Sequence, residues 1–207
     1  MEKKHLQKKE LIQQLRTEGI LAAARIVISQ KGLDKATMDQ VADEAGISKA
    51  TIYLYFKNKE ELYYRCVVDR MDELLAEMEK AAEIDDPMER LRKLVLTQVE
   101  CIDSDRDFFK VYLIESKDLL FDKTSECGQE FAKRYDRLAR MISGCIRECM
   151  DRRQIREMDP QKCYYILFSM VRGMAMFSMM CGKGSPMSDE AAVILDVFLN
   201  GMKAQQV

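Results

Sequence analysis

With 207 residues, 47% apolar and 33% charged, the chain can bury a sizeable core, which excludes an intrinsically disordered protein. Nine glycines and three prolines are few for this length and favour helices over a sheet-rich fold. Residues 1–59 hold eleven Lys and Arg against seven Asp and Glu, so the overall charge of −2 leaves −6 for residues 60–207, and a polyanionic partner would meet the first part of the chain.

Apolar periodicity predicts a first helix from about Leu6 or Glu10 to Lys31, with Ile20, Leu21, Ala24, Val27 and Ile28 on one face and Gly32 as its C-terminal cap. Before it, "MEKKHLQKKELIQQ" lacks the apolar core of a signal peptide. The single histidine, His5, sits there among Lys3, Lys4, Lys8 and Lys9. That segment reads as a tail or frayed helix start, with a basic arm for the minor groove as the alternative. Thr37 followed by Gln40 spells a capping box for a second helix over Met38–Ala45, which Gly46 ends. A third short helix opens at the N-cap Ser48 and runs to about Tyr55, and a long fourth spans about Lys59–Ile84.

Beyond Pro87, helices are expected near 87–102, 105–120, 124–152, 160–181 and 187–204. The helix from 124 sets Phe131, Tyr135, Leu138, Ile142, Cys145 and Cys149 on one face, the pattern of a bundle helix. The run 164–181 reaches membrane-span length only by including Arg172, which marks it as a buried helix. The expected fold is all-α: a three-helix helix-turn-helix head (residues 1–58) joined by the long fourth helix to a C-terminal helical bundle (residues 59–207). Seven cysteines without a CxxC pair suit a reduced, cytoplasmic protein. Cys145 and Cys149 share a helix face, but with no nearby histidine they read as small buried hydrophobes, and no metal or cofactor is expected.

The segment "VADEAGISKATIYLYFKNKEELY" carries the functional signal. Two helices of about eight residues joined by a glycine-containing turn form a helix-turn-helix unit. Val41 and Ala45 face the core, Ala42 is small where the second helix crosses, Gly46 supplies a positive φ, and Ile47 and Ile52 plug the gap. A structural hairpin would use the same apolar code. The outward face of the second helix separates the two readings: Lys49, Thr51, Tyr53 and Leu54, with no acidic residue between Ser48 and Lys59, suit a phosphate-lined groove.

"ATMDQVADEAGISKATIYLYFKNKEEL", preceded by "ILAAARIVISQKG", resembles the DNA-binding domain of the TetR/AcrR family of bacterial transcriptional regulators over about Glu18 to Leu62. The resemblance implies that Thr37 holds a phosphate and that Ser48, Lys49, Ala50 and Thr51 sit at the groove edge. It places Tyr53 and Tyr55 on phosphates or thymine methyls, and Lys57 and Lys59 on the backbone, with Phe56 in the core. Ala50 stands where many members have glycine, and Leu54, often polar in relatives, offers only apolar contact, such as to a thymine methyl.

The resemblance further implies a repressor that binds a palindromic operator as a homodimer and is released by a small, largely apolar effector held in the body. One recognition helix reads too few base pairs alone, so two heads about 34–36 Å apart are needed. Gly173 and Ala175 would permit close helix approach in the seam, filled by Met170, Met174, Phe177, Val193, Leu195, Phe198 and Leu199. Candidate effector-cavity residues are Phe108, Phe109, Tyr112, Phe131, Tyr135, Met141, Tyr164, Tyr165 and Phe168. Arg172 either holds an effector carboxylate or phosphate or pairs across the seam. An enzyme is disfavoured: the chain has no glycine-rich phosphate loop, no nucleophile–base pair and no histidine placed for proton transfer.

Overall fold

The computed structural model describes residues 2–121, 125–181 and 186–201, with side-chain detail for 7–115, 125–180 and 186–201. The side chains of Lys3, Lys4, His5 and Cys181, and the expected helix end beyond residue 201, lie outside it. The described residues form helices and no strand: α1 (Glu2–Lys31), α2 (Met38–Glu44), α3 (Lys49–Ile52), α4 (Lys59–Glu79), α5 (Pro87–Ser104), α6 (Arg106–Phe121), α7 (Glu126–Asp151), α8 (Pro160–Cys181) and α9 (Met187–Gly201).

Local chemistry sets these boundaries. Gly32 ends α1 at φ 78°. Thr37 opens α2 with the reciprocal capping box, its hydroxyl accepting the Gln40 N–H while the Gln40 side chain accepts the Thr37 N–H. At the other end, Gly46 (φ 65°) donates its N–H to Asp43 O, and Ile47 donates to Ala42 O, a Schellman closure that reverses the chain. Asn58 and Asp86 cap α4 and α5 through their side chains. α4 tightens after Glu79 into a 3₁₀ turn, Lys80–Glu83, so its expected end near Ile84 holds only with that change of winding.

α3 is shorter than its sequence suggests. After Ile52 the chain continues through i→i+3 bonds, Leu54 N to Thr51 O and Tyr55 N to Ile52 O, which rotate Phe56 into the core at 3% exposure.

Two apolar clusters organise the chain. The first joins Ile20, Leu21, Ala24 and Ile28 of α1 to Val41, Ala42, Ile52, Phe56 and the start of α4. It does not stop at the head: Phe108 of α6 and Phe131 of α7 belong to it. The second fills the bundle of α4, α5, α7, α8 and α9. Tyr135 packs against both.

α8 is long and apolar enough to cross a membrane by length and composition, yet only one of its faces is buried within the chain. Cys163, Tyr164, Leu167, Val171 and Ala175 point into the core, whereas Ile166, Met176, Phe177 and Met180 point outward. This corrects the reading of α8 as a buried helix. It also corrects the seam: Ala175, Leu195 and Phe198 are core residues, and Met170, Met174 and Leu199 pack partly against that core. The outward apolar face is made by Ile166, Met176, Phe177 and Met180 with Val193 and Val197 of α9.

Candidate functional site

The head presents a compact polar surface. Ser48 caps α3, its hydroxyl accepting the Thr51 N–H at 3.1 Å and sharing a hydrogen bond with the Thr51 hydroxyl at 2.8 Å. Lys49 is exposed, yet its ammonium donates to Asp39 Oδ2 of α2 at 2.8 Å, and that contact raises the lysine pKa. The acid-free run after Ser48 is therefore not acid-free in space: a carboxylate from the neighbouring helix holds Lys49. Ala50 is exposed, Tyr53 is 47% exposed and Leu54 82%, the most exposed large apolar side chain among those described. Tyr55 is half-buried against the head cluster. Lys57 is exposed, its N–H held by Glu61. Lys59 donates to Asp34 O at 3.0 Å. With the exposed Thr37 at the start of α2, the candidate DNA-facing residues lie from the start of α2 to the start of α4.

The body holds a partly open cavity of about 100 Å³. Val67, Arg70, Met71 and Leu74 of α4 form one wall, and Gln98, Cys101, Ile102 and Asp105 from α5 and its end form the next. Phe108, Phe109 and Tyr112 of α6, Tyr135 and Leu138 of α7, and Phe168, Val171 and Arg172 of α8 close it. Six expected residues therefore meet there: Phe108, Phe109, Tyr112, Tyr135, Phe168 and Arg172. Four do not. Phe131 stacks on Tyr135 from behind, in the head cluster. Tyr164 is buried in the bundle core, Met141 packs partly against that core, and Tyr165 is 55% exposed.

Arg172 lies over the Tyr112 ring, 6.0 Å from its centroid, and donates to Leu113 O at 3.3 Å. It faces α6 and the cavity. Burial raises the Tyr112 pKa and the guanidinium opposes that rise, so the phenol stays a neutral donor. Burial also pushes the Cys66 thiol up to about 12, leaving it protonated and inert. Cys145 and Cys149 are buried, with the Cys145 thiol donating to Pro87 O. No group of three potential metal ligands comes together among the described residues.

Residues 20–66 match the family described as bacterial regulatory proteins, tetR family, and residues 84–201 match the tetracyclin repressor-like C-terminal domain. The chain belongs to the TetR family of transcriptional regulators. This TetR-family chain is 41% identical over 64 residues to the HTH-type transcriptional regulator YfiR of Bacillus subtilis (31% of each chain). It is 36% identical over 61 residues to the fatty acid metabolism regulator protein of the same organism (30% of this chain, 31% of that one). The match thus spans about a third of the length of these two relatives. Over nearly the whole chain the fold is that of the regulator FadR from Bacillus subtilis, solved in complex with stearoyl-CoA, with TM-score 0.77, 21% identity, and 89% of this chain and 98% of that one covered.

In this TetR-family fold, sequence reasoning missed the α4 and α5 walls of the cavity. Helix residues facing a cavity and residues facing a core share one period, so apolar lining carries no mark of its own. A mark did exist in the polar residues Arg70 and Gln98, which stand at positions where the helix register asks for apolar ones, and in Asp105 just past the end of α5.

Proposed function

We propose that the protein is a cytoplasmic transcriptional repressor that binds a palindromic DNA operator as a homodimer and leaves it when a largely apolar effector enters the body. In this reading residues 1–58 bind DNA and residues 59–207 bind effector and dimerise. The observation that carries it is one helix with two duties: α4 begins beside Lys57 and Lys59 at the DNA end and walls the cavity with Val67, Met71 and Leu74. A change in the cavity can therefore reach the heads.

The chemistry of the cavity narrows the effector. Its walls are aromatic and aliphatic, with Arg70, Gln98 and Arg172 as polar points, which suits an apolar chain ending in an anionic or carbonyl group. The names of the relatives support a fatty acyl effector. A cavity of about 100 Å³ is smaller than the roughly 150 Å³ space that holds one benzene, so an acyl chain must widen it. The outward apolar face of α8 and α9 supports a four-helix seam between two copies, with Gly173 exposed on the α8 side where helices need close approach. Ser48, Lys49, Ala50 and Thr51 are assigned to the groove edge, with Lys49 and Thr51 near bases or backbone, Tyr53 and Tyr55 to phosphates or thymine methyls, Leu54 to a thymine methyl, and Thr37, Lys57 and Lys59 to the phosphate backbone.

The test is selection of duplexes from a random library on the purified protein, followed by titration with stearoyl-CoA. Recovery of a palindrome whose complex dissociates as stearoyl-CoA is added is the expected result. Enrichment of no duplex would overturn the reading.

A further inference from the structure

The short joint between α5 and α6 is tied to α1, α4, α8 and α9. Arg70 of α4 donates to Cys101 O at 3.0 Å and to Ser104 Oγ at 2.7 Å, gripping the carboxyl end of α5. The Asp103 carboxylate accepts the N–H groups of Met187 and Ser188 at 2.8 and 3.0 Å, capping α9. Arg106 reaches Ser178 near the end of α8. Finally, Asp105 pairs with Arg25 of α1, whose Nε lies 3.6 Å away while its Nη1 donates to Asp69 of α4 at 2.7 Å. Cys101, Ile102 and Asp105 also line the cavity.

Arg25 thus interrupts the apolar face of the first head helix to hold two carboxylates, one on α4 and one on the cavity wall. Its neighbours Leu21, Ala24 and Ile28 are packed into the head cluster that positions α2 and α3, so a pull on Arg25 moves the head as a unit. Phe108, one turn into α6, packs its ring 6.0 Å from that of Tyr63 and belongs to the same cluster, giving the joint a second, apolar hold on the head.

We propose that the Arg25–Asp105 ion pair is the coupling element between cavity and head: widening the cavity displaces the α5–α6 joint, and Arg25 carries that displacement into α1. The inference rests on the effector reading above and adds to it the residues that transmit the signal. Both partners are partly exposed, with 19% and 26% of their side chains accessible. Such a pair can rearrange within the differential affinity that one ligand supplies, which a fully buried pair could not. Arg25 lies outside the cavity lining, so changing it alters transmission without touching the effector.

The test uses the full-length protein, the palindromic duplex selected on the wild type, and stearoyl-CoA as probe. Wild type, Asp105→Asn, Arg25→Met and the double variant are each titrated with duplex, with and without saturating probe, and the ratio of the two affinities gives the coupling. Probe affinity is measured directly by calorimetry, and thermal melts report folding. The wild-type ratio is expected within the roughly 5–150-fold range of ordinary allosteric coupling. Each single variant should lower it about three-fold or more, Arg25→Met with probe affinity changed less than about two-fold because Arg25 stands outside the lining, and the double variant should fall no further than the singles. Asp105→Asn is isosteric and keeps the backbone acceptor that starts α6, so it tests the pair even if Arg25→Met fails to fold. A folded Asp105→Asn protein that binds probe and keeps the wild-type ratio overturns the proposal, as do two substitutions whose effects multiply. A wild-type protein whose duplex affinity ignores bound probe overturns the effector reading and this inference with it.

Discussion

Replacing Phe177 by glutamate separates an interface role from a folding role. Phe177 lies on the outward face of α8 with 57% of its surface exposed; Met176 and Met180 of α8 and Val193 and Val197 of α9 are exposed as well. A phenylalanine buries roughly 200 Å² when fully covered, so about 110 Å² is left for a partner. At about 25 cal/mol per Å² this is worth about 3 kcal/mol per copy, and about 6 kcal/mol for a symmetric pair, as an upper bound. Phe177→Glu removes that term and adds two carboxylates to an apolar seam. The dimer dissociation constant should therefore weaken by as much as about 10⁴-fold, turning a nanomolar dimer into one that dissociates at micromolar concentration. Sedimentation velocity across a dilution series measures this. Far-ultraviolet circular dichroism of the monomer should remain helical, because the ring contributes little to the core of its own chain. A variant that sediments like the wild type at every concentration would refute the assignment of this face.

Other substitutions test the remaining parts. Ile52→Ala leaves a void under α3 at a site with no exposure and should cost about 2–5 kcal/mol, read as a lower Tm and faster hydrogen exchange in the head. Arg153 ends α7 at φ 56°, in a Schellman turn closed by Arg153 N to Met150 O and Gln154 N to Cys149 O; Arg153→Gly should stabilise the chain by up to about 1 kcal/mol in chemical denaturation. Val171→Phe places a ring in the cavity wall and should abolish acyl probe binding while duplex affinity stays within about three-fold of wild type. The Glu130 carboxyl is held down at about 2 by hydrogen bonds from Arg134 and Lys133. Because the folded value lies below the ordinary one, its stabilisation is complete above about pH 4.5 and is lost as pH falls towards 2, so the Tm difference between wild type and Glu130→Gln should shrink across that window.

The helical architecture and the caps were legible because they depend on local chemistry. Thr37 with Gln40, Ser48 and Gly46 each have one favourable use, and each is found in it. Contacts across helices were not legible. Nothing in the spacing of Asp39 and Lys49 announces their 2.8 Å pair, and nothing in position 25 announces a tie to residues 69 and 105. The bundle was read correctly as helices but wrongly as faces. Leu195 and Phe198 look like seam residues until α5 and α8 claim the space beside them, while Ile166 and Met180 look like core until nothing covers them. A helical period shows that a face is apolar, and only packing decides what it meets.

The central claim is that exposed residues of the head meet the phosphates of a double helix. The most direct measurement is the dependence of duplex affinity on salt for wild type and for Lys57→Ala. If Lys49, Lys57 and Lys59 of each head of a dimer contact the backbone as proposed, they make about six phosphate contacts, so log K should fall with log salt at a slope near −5. Loss of Lys57 should flatten that slope by about 2 for all duplexes alike. A wild-type slope near zero, or a slope unchanged in Lys57→Ala, would contradict the account.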